Sequence, residues 1–134
     1  MKRPPTFLSV SDVLQIHEDA IAKDGGLAGI RDPGLLDSAV MMPRQQFGGQ
    51  FLHEDLSAMA AAYLFHIAKN HPFLDGNKRA AAMAAYVFLD ANGMDLTASP
   101  DEFEHAVLSV ASGTMSKLDL TSWMPSHVRK AQGG

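Results

Sequence analysis

Apolar residues recur along this chain at helical rather than strand spacing. Val13, Ile16, Ala20 and Ile21 lie three and four apart. Ser9 and Asp12 precede them as a weak capping-box pair, and Gly25-Gly26 follows. This predicts a first helix from about Ser9 to the glycines. Asp32-Pro33 reads as an N-cap and first helical residue, opening a short helix through Leu35, Leu36, Ala39 and Val40 that Pro43 stops. Over 44–53 the period is lost around Phe47-Gly48-Gly49, which predicts a loop or small hairpin. Helical spacing returns over about 54–69, with Leu56, Ala60, Tyr63, Leu64 and Ile67 as the buried stripe. Pro72 blocks simple continuation and favours an extended His71. Residues 80–89 carry no charge. Ala80, Met83, Ala84, Val87, Phe88 and Ala91 share one face, and the other is alanine and Tyr86. A helix at about 77–92, ended by Asn92-Gly93, is therefore expected at the centre of a bundle. Ser99-Pro100-Asp101-Glu102 combines N-cap, N1 proline and an N3 glutamate, starting a helix to about Ala111. A last helix is expected within 118–129, anchored by Trp123, with Pro125 as a candidate kink and 131–134 as a frayed tail.

The architecture expected is all-α. The 134 residues fit a single domain over 1–134, with its core at about 7–129. Hydrophobic residues make up 46% and aromatic ones 7%, so alanine and methionine must fill much of the core between closely packed helices. The net charge of −4, with no Lys/Arg run beyond two residues, argues against nucleic acid as a direct partner. The absence of cysteine excludes disulfides and thiolate metal sites. The N-terminus lacks the apolar segment of a signal peptide, and the longest apolar run is too short to cross a bilayer. A cytoplasmic protein without membrane contact, monomeric when free, is the expectation.

Chemistry concentrates in His71-Pro72-Phe73-Leu74-Asp75-Gly76-Asn77-Lys78-Arg79. A histidine, an acid, a glycine turn and two cations precede a helix N-terminus, where backbone N–H groups lack partners and attract phosphate. Asp75 could be a plain N-cap. However, Lys78 and Arg79 oppose the positive end of the helix dipole, at about 0.3–1 kcal/mol each, which suggests an anion to hold. On that reading Asp75 binds Mg²⁺, Lys78, Arg79 and nearby N–H groups grip phosphate oxygens, and His71 is the base. A metal-hydrolase grouping of His66, His71 and Asp75 is weaker, because Pro72 breaks the helix and no HExxH pattern occurs. His17, His53, His105 and His127 have no partner spacing and read as surface or boundary residues. Phe73 reads as a core anchor.

The nine residues resemble the signature of the Fic/Doc superfamily and are most similar to its Doc branch, the death-on-curing toxins of bacterial toxin–antitoxin modules. Lys78 stands where the Fic pattern has its second glycine and Ala82 where it has its last arginine, while the Doc pattern ends in Asn-Lys-Arg as here. Gly29 to Leu36 and Phe47-Gly48-Gly49 are also similar to Doc-like proteins. The resemblance implies an all-α Fic fold that uses ATP and Mg²⁺ to modify a protein hydroxyl. It makes His71 the base and Asp75 the helper of the metal, with Asn77, Lys78 and Arg79 on the phosphates and Gly76 allowing close backbone approach.

Ala82 favours transfer of the terminal phosphate to a Ser or Thr of a translation factor over the AMP transfer typical of Fic proteins. Residues 44–52 match the family's flap in position, so Gln46, Phe47, Gly48 and Gly49 are either a target-binding hairpin or an ordinary Gly-Gly turn. No [ST]-x-x-x-E-[GN] inhibitory pattern occurs, which implies an antitoxin supplied in trans. A catalytically silent binding module is the non-enzymatic alternative. Arg31 and Arg44 carry no role assignable from sequence.

Overall fold

The computed structural model describes residues 3–132, and its core is helical. Helices α1 (Val10–Asp24), α2 (Pro33–Met41), α3 (Leu56–Asn70), α4 (Asn77–Ala91), α5 (Pro100–Ser112) and α6 (Lys117–Trp123) follow in order. Local side chains set their starts. Ser9, Ser99 and Ser116 form capping boxes with Asp12, Glu102 and Asp119, and Asp32 and Asp55 cap α2 and α3.

α3 is the hub of the bundle, packing against α2, α4, α5 and α6. Its most extensive partner is α4, and the buried alanines of the two helices, Ala60, Ala61 and Ala68 on α3 and Ala80, Ala81, Ala84 and Ala85 on α4, are small enough to let them approach closely. Tyr63 and Phe88 fill the remaining space, with ring centroids 5.1 Å apart. Truncating Phe88 to alanine is expected to cost about 3–5 kcal/mol. The expectation that the 77–92 helix sits at the centre needs correction: Met83 is 46% and Tyr86 48% exposed, so α4 has an open face. Uniformly apolar composition made its two faces look alike. α3, with Met59 through Leu64 all buried, takes the central place.

Two short antiparallel pairs accompany the helices. β1 (Gln46–Phe47) and β2 (Gln50–Phe51) form a hairpin whose turn, Gly48-Gly49, has φ of 60° and 81°. Two left-handed residues define the turn that matches strand twist, and glycine adopts it without a Cβ clash. At the hairpin's root Arg44 Nη2 donates to the Leu8 carbonyl at 2.9 Å, and its guanidinium lies over Phe7. Arg44 therefore ties the N-terminal segment to the hairpin. β3 (Met94–Leu96) pairs with β4 (Val128–Lys130), opposing Asp95 to Arg129. The last helix expected somewhere within 118–129 is present as α6, but it does not run through Pro125 as a kinked helix. α6 stops at Trp123, a 3₁₀ turn over Met124–His127 contains Pro125, and the chain then extends. Ala131, expected to be frayed, donates its N–H to the Gly93 carbonyl at 2.8 Å. Residues 133–134 lie outside the described residues.

Candidate active site

The motif occupies the six-residue loop from α3 to α4, residues 71–76, together with the first turn of α4. Phe73 anchors it as a fully buried residue. Asn77, 4% exposed, accepts the Phe73 N–H at Oδ1 and donates Nδ2 to the Phe73 carbonyl, both at 2.9 Å. The expected contact of Asn77 with phosphate therefore needs correction at the side chain, since the amide braces the loop from inside and only the backbone N–H faces the helix end. His17 supports the loop from below. It is 5% exposed, stacks on Phe73 with centroids 3.7 Å apart, and its Nε2 lies 2.8 Å from the Asp75 carbonyl. A carbonyl can only accept, so Nε2 carries the proton. His17 was expected to be a surface or boundary residue, and it is buried. Its position four residues after Val13, on the same helical face, was the signal for burial.

α4 begins differently from the other helices. Its N-cap is Gly76, and no side chain bonds to its first-turn N–H groups, whereas the other five helices among the described residues have a Ser or Asp cap. Asp75 is not the N-cap that the plain structural reading offered. Its Oδ2 accepts the Leu27 N–H at 3.1 Å and its Oδ1 the Gly76 N–H at 2.9 Å. Those two bonds, with the nearby charge of Arg79 adding, hold its carboxyl below the usual carboxylate range, so it is ionised at neutral pH. Gly26 permits this contact, because a Cβ there would lie 2.7 Å from Asp75 Oδ2. The close approach that Gly76 permits is to α1: at φ 74° its Cβ would meet Ile21 Cδ1 at 3.1 Å.

The two cations diverge. Arg79 Nη1 donates to the Ala20 carbonyl and Nη2 to the Gly25 carbonyl, at 3.2 and 3.1 Å, with Asp24 at 3.5 Å. It closes the C-terminus of α1 rather than extending freely to solvent, where the ion pair adds at most about 1 kcal/mol. Lys78 is exposed and lines a cleft with His105, Leu108 and Ser109 of α5.

His71 is exposed and departs from the expected extended conformation, with φ 53° and ψ 53°. Among the described residues it is the one non-glycine with positive φ. Such a residue costs about 1–3 kcal/mol unless its surroundings hold it there. Its N–H still bonds to the Ile67 carbonyl, closing α3, and its carbonyl turns to Arg31 Nε at 2.6 Å. Closure of α3, together with the bonds from Arg31 to its last carbonyls, outweighs the local preference imposed by Pro72.

His66 does not join this site. It lies near His53 and Lys117, and among the described residues no three metal-ligating side chains converge. Asp75 does suit Mg²⁺: it is an ionised, exposed oxygen donor beside free helix N–H groups, and Mg²⁺ commonly rests on one or two carboxylates plus substrate phosphates. A separate cleft, beside Thr6, Phe51, Asn92 and Val128, contains none of the motif residues.

An open helix end, an ionised carboxylate and an exposed imidazole thus lie together on the motif loop and the helix start that follows it. The chain belongs to the Fic/Doc family, described as Fic/DOC, which it matches over residues 7–89. Within it the chain stands on the Doc side. It is 42% identical over 95 residues to Toxin Doc of Mycolicibacterium smegmatis, covering 71% of each chain. It is 31% identical over 109 residues to Protein kinase doc of Escherichia phage P1, covering 81% of this chain and 85% of that one.

Proposed function

We propose that this protein is a Doc-like toxin that transfers the terminal phosphate of ATP to a Ser or Thr hydroxyl of a protein, with a translation elongation factor as the target class. The observation that carries the reading is the uncapped N-terminus of α4, flanked by the exposed His71 and the ionised Asp75. The names of the two relatives, a toxin and a protein kinase, support it. Ala82, one turn beyond Lys78, offers no charge for the outer phosphates, which favours transfer of the terminal group over transfer of AMP.

In this mechanism the orphan N–H groups of α4 and the Lys78 ammonium hold phosphate oxygens. Gly76 and Asn77 fix the backbone path that presents those groups, and Arg79 contributes its charge from the α1 side. Mg²⁺, held by Asp75 and the phosphates, would neutralise charge on the leaving diphosphate. The His71 imidazole accepts the proton of the target hydroxyl. The hydroxyl oxygen bonds to the γ-phosphorus as the bond from phosphorus to the bridging oxygen breaks, and ADP leaves. Gln46, Phe47, Gly48 and Gly49 would hold the target chain by strand addition. The two-residue strands leave backbone groups free at their edges, and Phe47 is 81% exposed at the tip. Regulation would come from an antitoxin in trans. No helix among the described residues is long and apolar enough to cross a membrane.

The test is a transfer assay in bacterial lysate with Mg²⁺ and ATP labelled at the γ or the α phosphate, with His71→Ala as control. Label from γ-ATP alone, lost by at least about 10²-fold in His71→Ala, is expected. Label from α-ATP would make the protein an AMP-transferase. No label from either, with harmless expression, would favour a binding module.

A further inference from the structure

We infer that Arg31 is the positioning residue for the base, holding His71 in the one left-handed conformation from which its imidazole serves the transfer. The inference rests on the assignment of His71 as proton acceptor. Three consecutive carbonyls at the end of α3 are received by this single residue. Arg31 Nη2 donates to the Asn70 carbonyl at 2.9 Å, Nε to the His71 carbonyl at 2.6 Å, and the Arg31 backbone N–H to the Pro72 carbonyl at 2.7 Å. The fork of a guanidinium offers two parallel donors in fixed geometry, which lysine cannot reproduce. Its charge also lies at the negative end of the α3 dipole.

Arg31 is itself held on both sides. Ile30 bridges to Phe73, Gly29 accepts the Leu74 N–H at 3.1 Å, and Asp32 caps α2 while donating its own N–H to the Pro72 carbonyl at 3.0 Å. The α1–α2 connector thus runs antiparallel to the motif loop and delivers the guanidinium to it. With φ and ψ of residue 71 fixed, the direction of its Cα–Cβ bond is fixed as well. Without the clamp, the residue before Pro72 would relax towards the extended region. An imidazole displaced by about 1 Å loses rate on the order of 10²-fold.

Arg31→Ala and Arg31→Lys would be assayed for transfer rate and nucleotide KM, with and without added guanidinium ion, beside backbone ¹³C NMR shifts of His71. For Arg31→Ala, kcat is expected to fall about 10–10²-fold with KM for ATP unchanged. The His71 shifts should leave their left-handed values, and guanidinium should restore part of both. Arg31→Lys should fall between wild type and Arg31→Ala. An unchanged kcat overturns the inference. So does a loss that appears in KM, or a loss of kcat while the His71 shifts stay left-handed, because Arg31 would then act on substrate directly. Transfer by His71→Ala at the wild-type rate would instead remove the assignment of the base, and the shift measurement distinguishes the two failures because it needs no transfer.

Discussion

The N-termini of α5 and α4 are finished in opposite ways. At α5, Ser99 and Glu102 satisfy each other's backbone N–H groups, Pro100 needs no partner, and Asp101 and Glu102 meet the positive end of the dipole with negative charge. At α4, a left-handed glycine leads, no side chain bonds to the first turn, and two cations follow. One end is complete in itself, and the other gives up local stability and leaves donors facing outward. Two helices of the same bundle thus separate what holds the molecule together from what it offers to a ligand.

The largest effect sets the conditions under which that difference can be measured. Burial, with Lys117 and His53 nearby, lowers the His66 pKa from 6.5 to about 4, and His53 is lowered by burial and Lys117. His53 Nδ1 and His66 Nε2 are buried without partners, so both rings fold in the neutral form. The unfolded chain takes up protons near pH 6.5, so this stability is fully present above 6.5 and is lost as pH falls towards 4. For His66 the loss is at most about 3 kcal/mol, and less where solvent reaches the ring. Urea midpoints at neutral and acidic pH should show the decline in wild type and a shallower one in His66→Leu. Equal slopes would contradict the assignment.

Lys78→Ala tests the open end. Nucleotide affinity should drop about tenfold by calorimetry, in line with loss of one charge-assisted bond. Stability should rise by a few tenths of a kcal/mol, because a cation leaves the positive end of the dipole. Unchanged affinity would remove Lys78 from the phosphate site. The smallest effect belongs to the closed end: Ser99→Ala should lower stability by about 1 kcal/mol and leave the transfer rate as it was. A matching loss of transfer would mean that the two ends are coupled.

What could be read in the sequence follows the range of the interactions involved. The starts of α1, α2 and α5 were legible because each depends on residues three positions apart, such as Ser9 with Asp12. His71 and Asp75 were legible as a cluster because the chain itself keeps them together. The β3–β4 pair was not, since three residues are too few to display a period and their partners come from far along the chain. The same holds for His17, buried against a loop 58 positions away, and for Arg31, whose bonds to Asn70 and His71 span 39 and 40 positions. The backbone of His71 was misjudged because a local rule for the residue before proline met a stronger demand from the end of α3.

The β3–β4 pair also sets a schedule. In a growing chain the residues of all six helices precede Val128–Lys130, so Met94–Leu96 is made well before its partner strand. At ordinary speeds of translation that interval is roughly 2–6 s. Ala131 then fastens to Gly93, and His127 to Thr97. The residues that bear the candidate site are therefore synthesised before the strand that clasps the far end of the molecule exists.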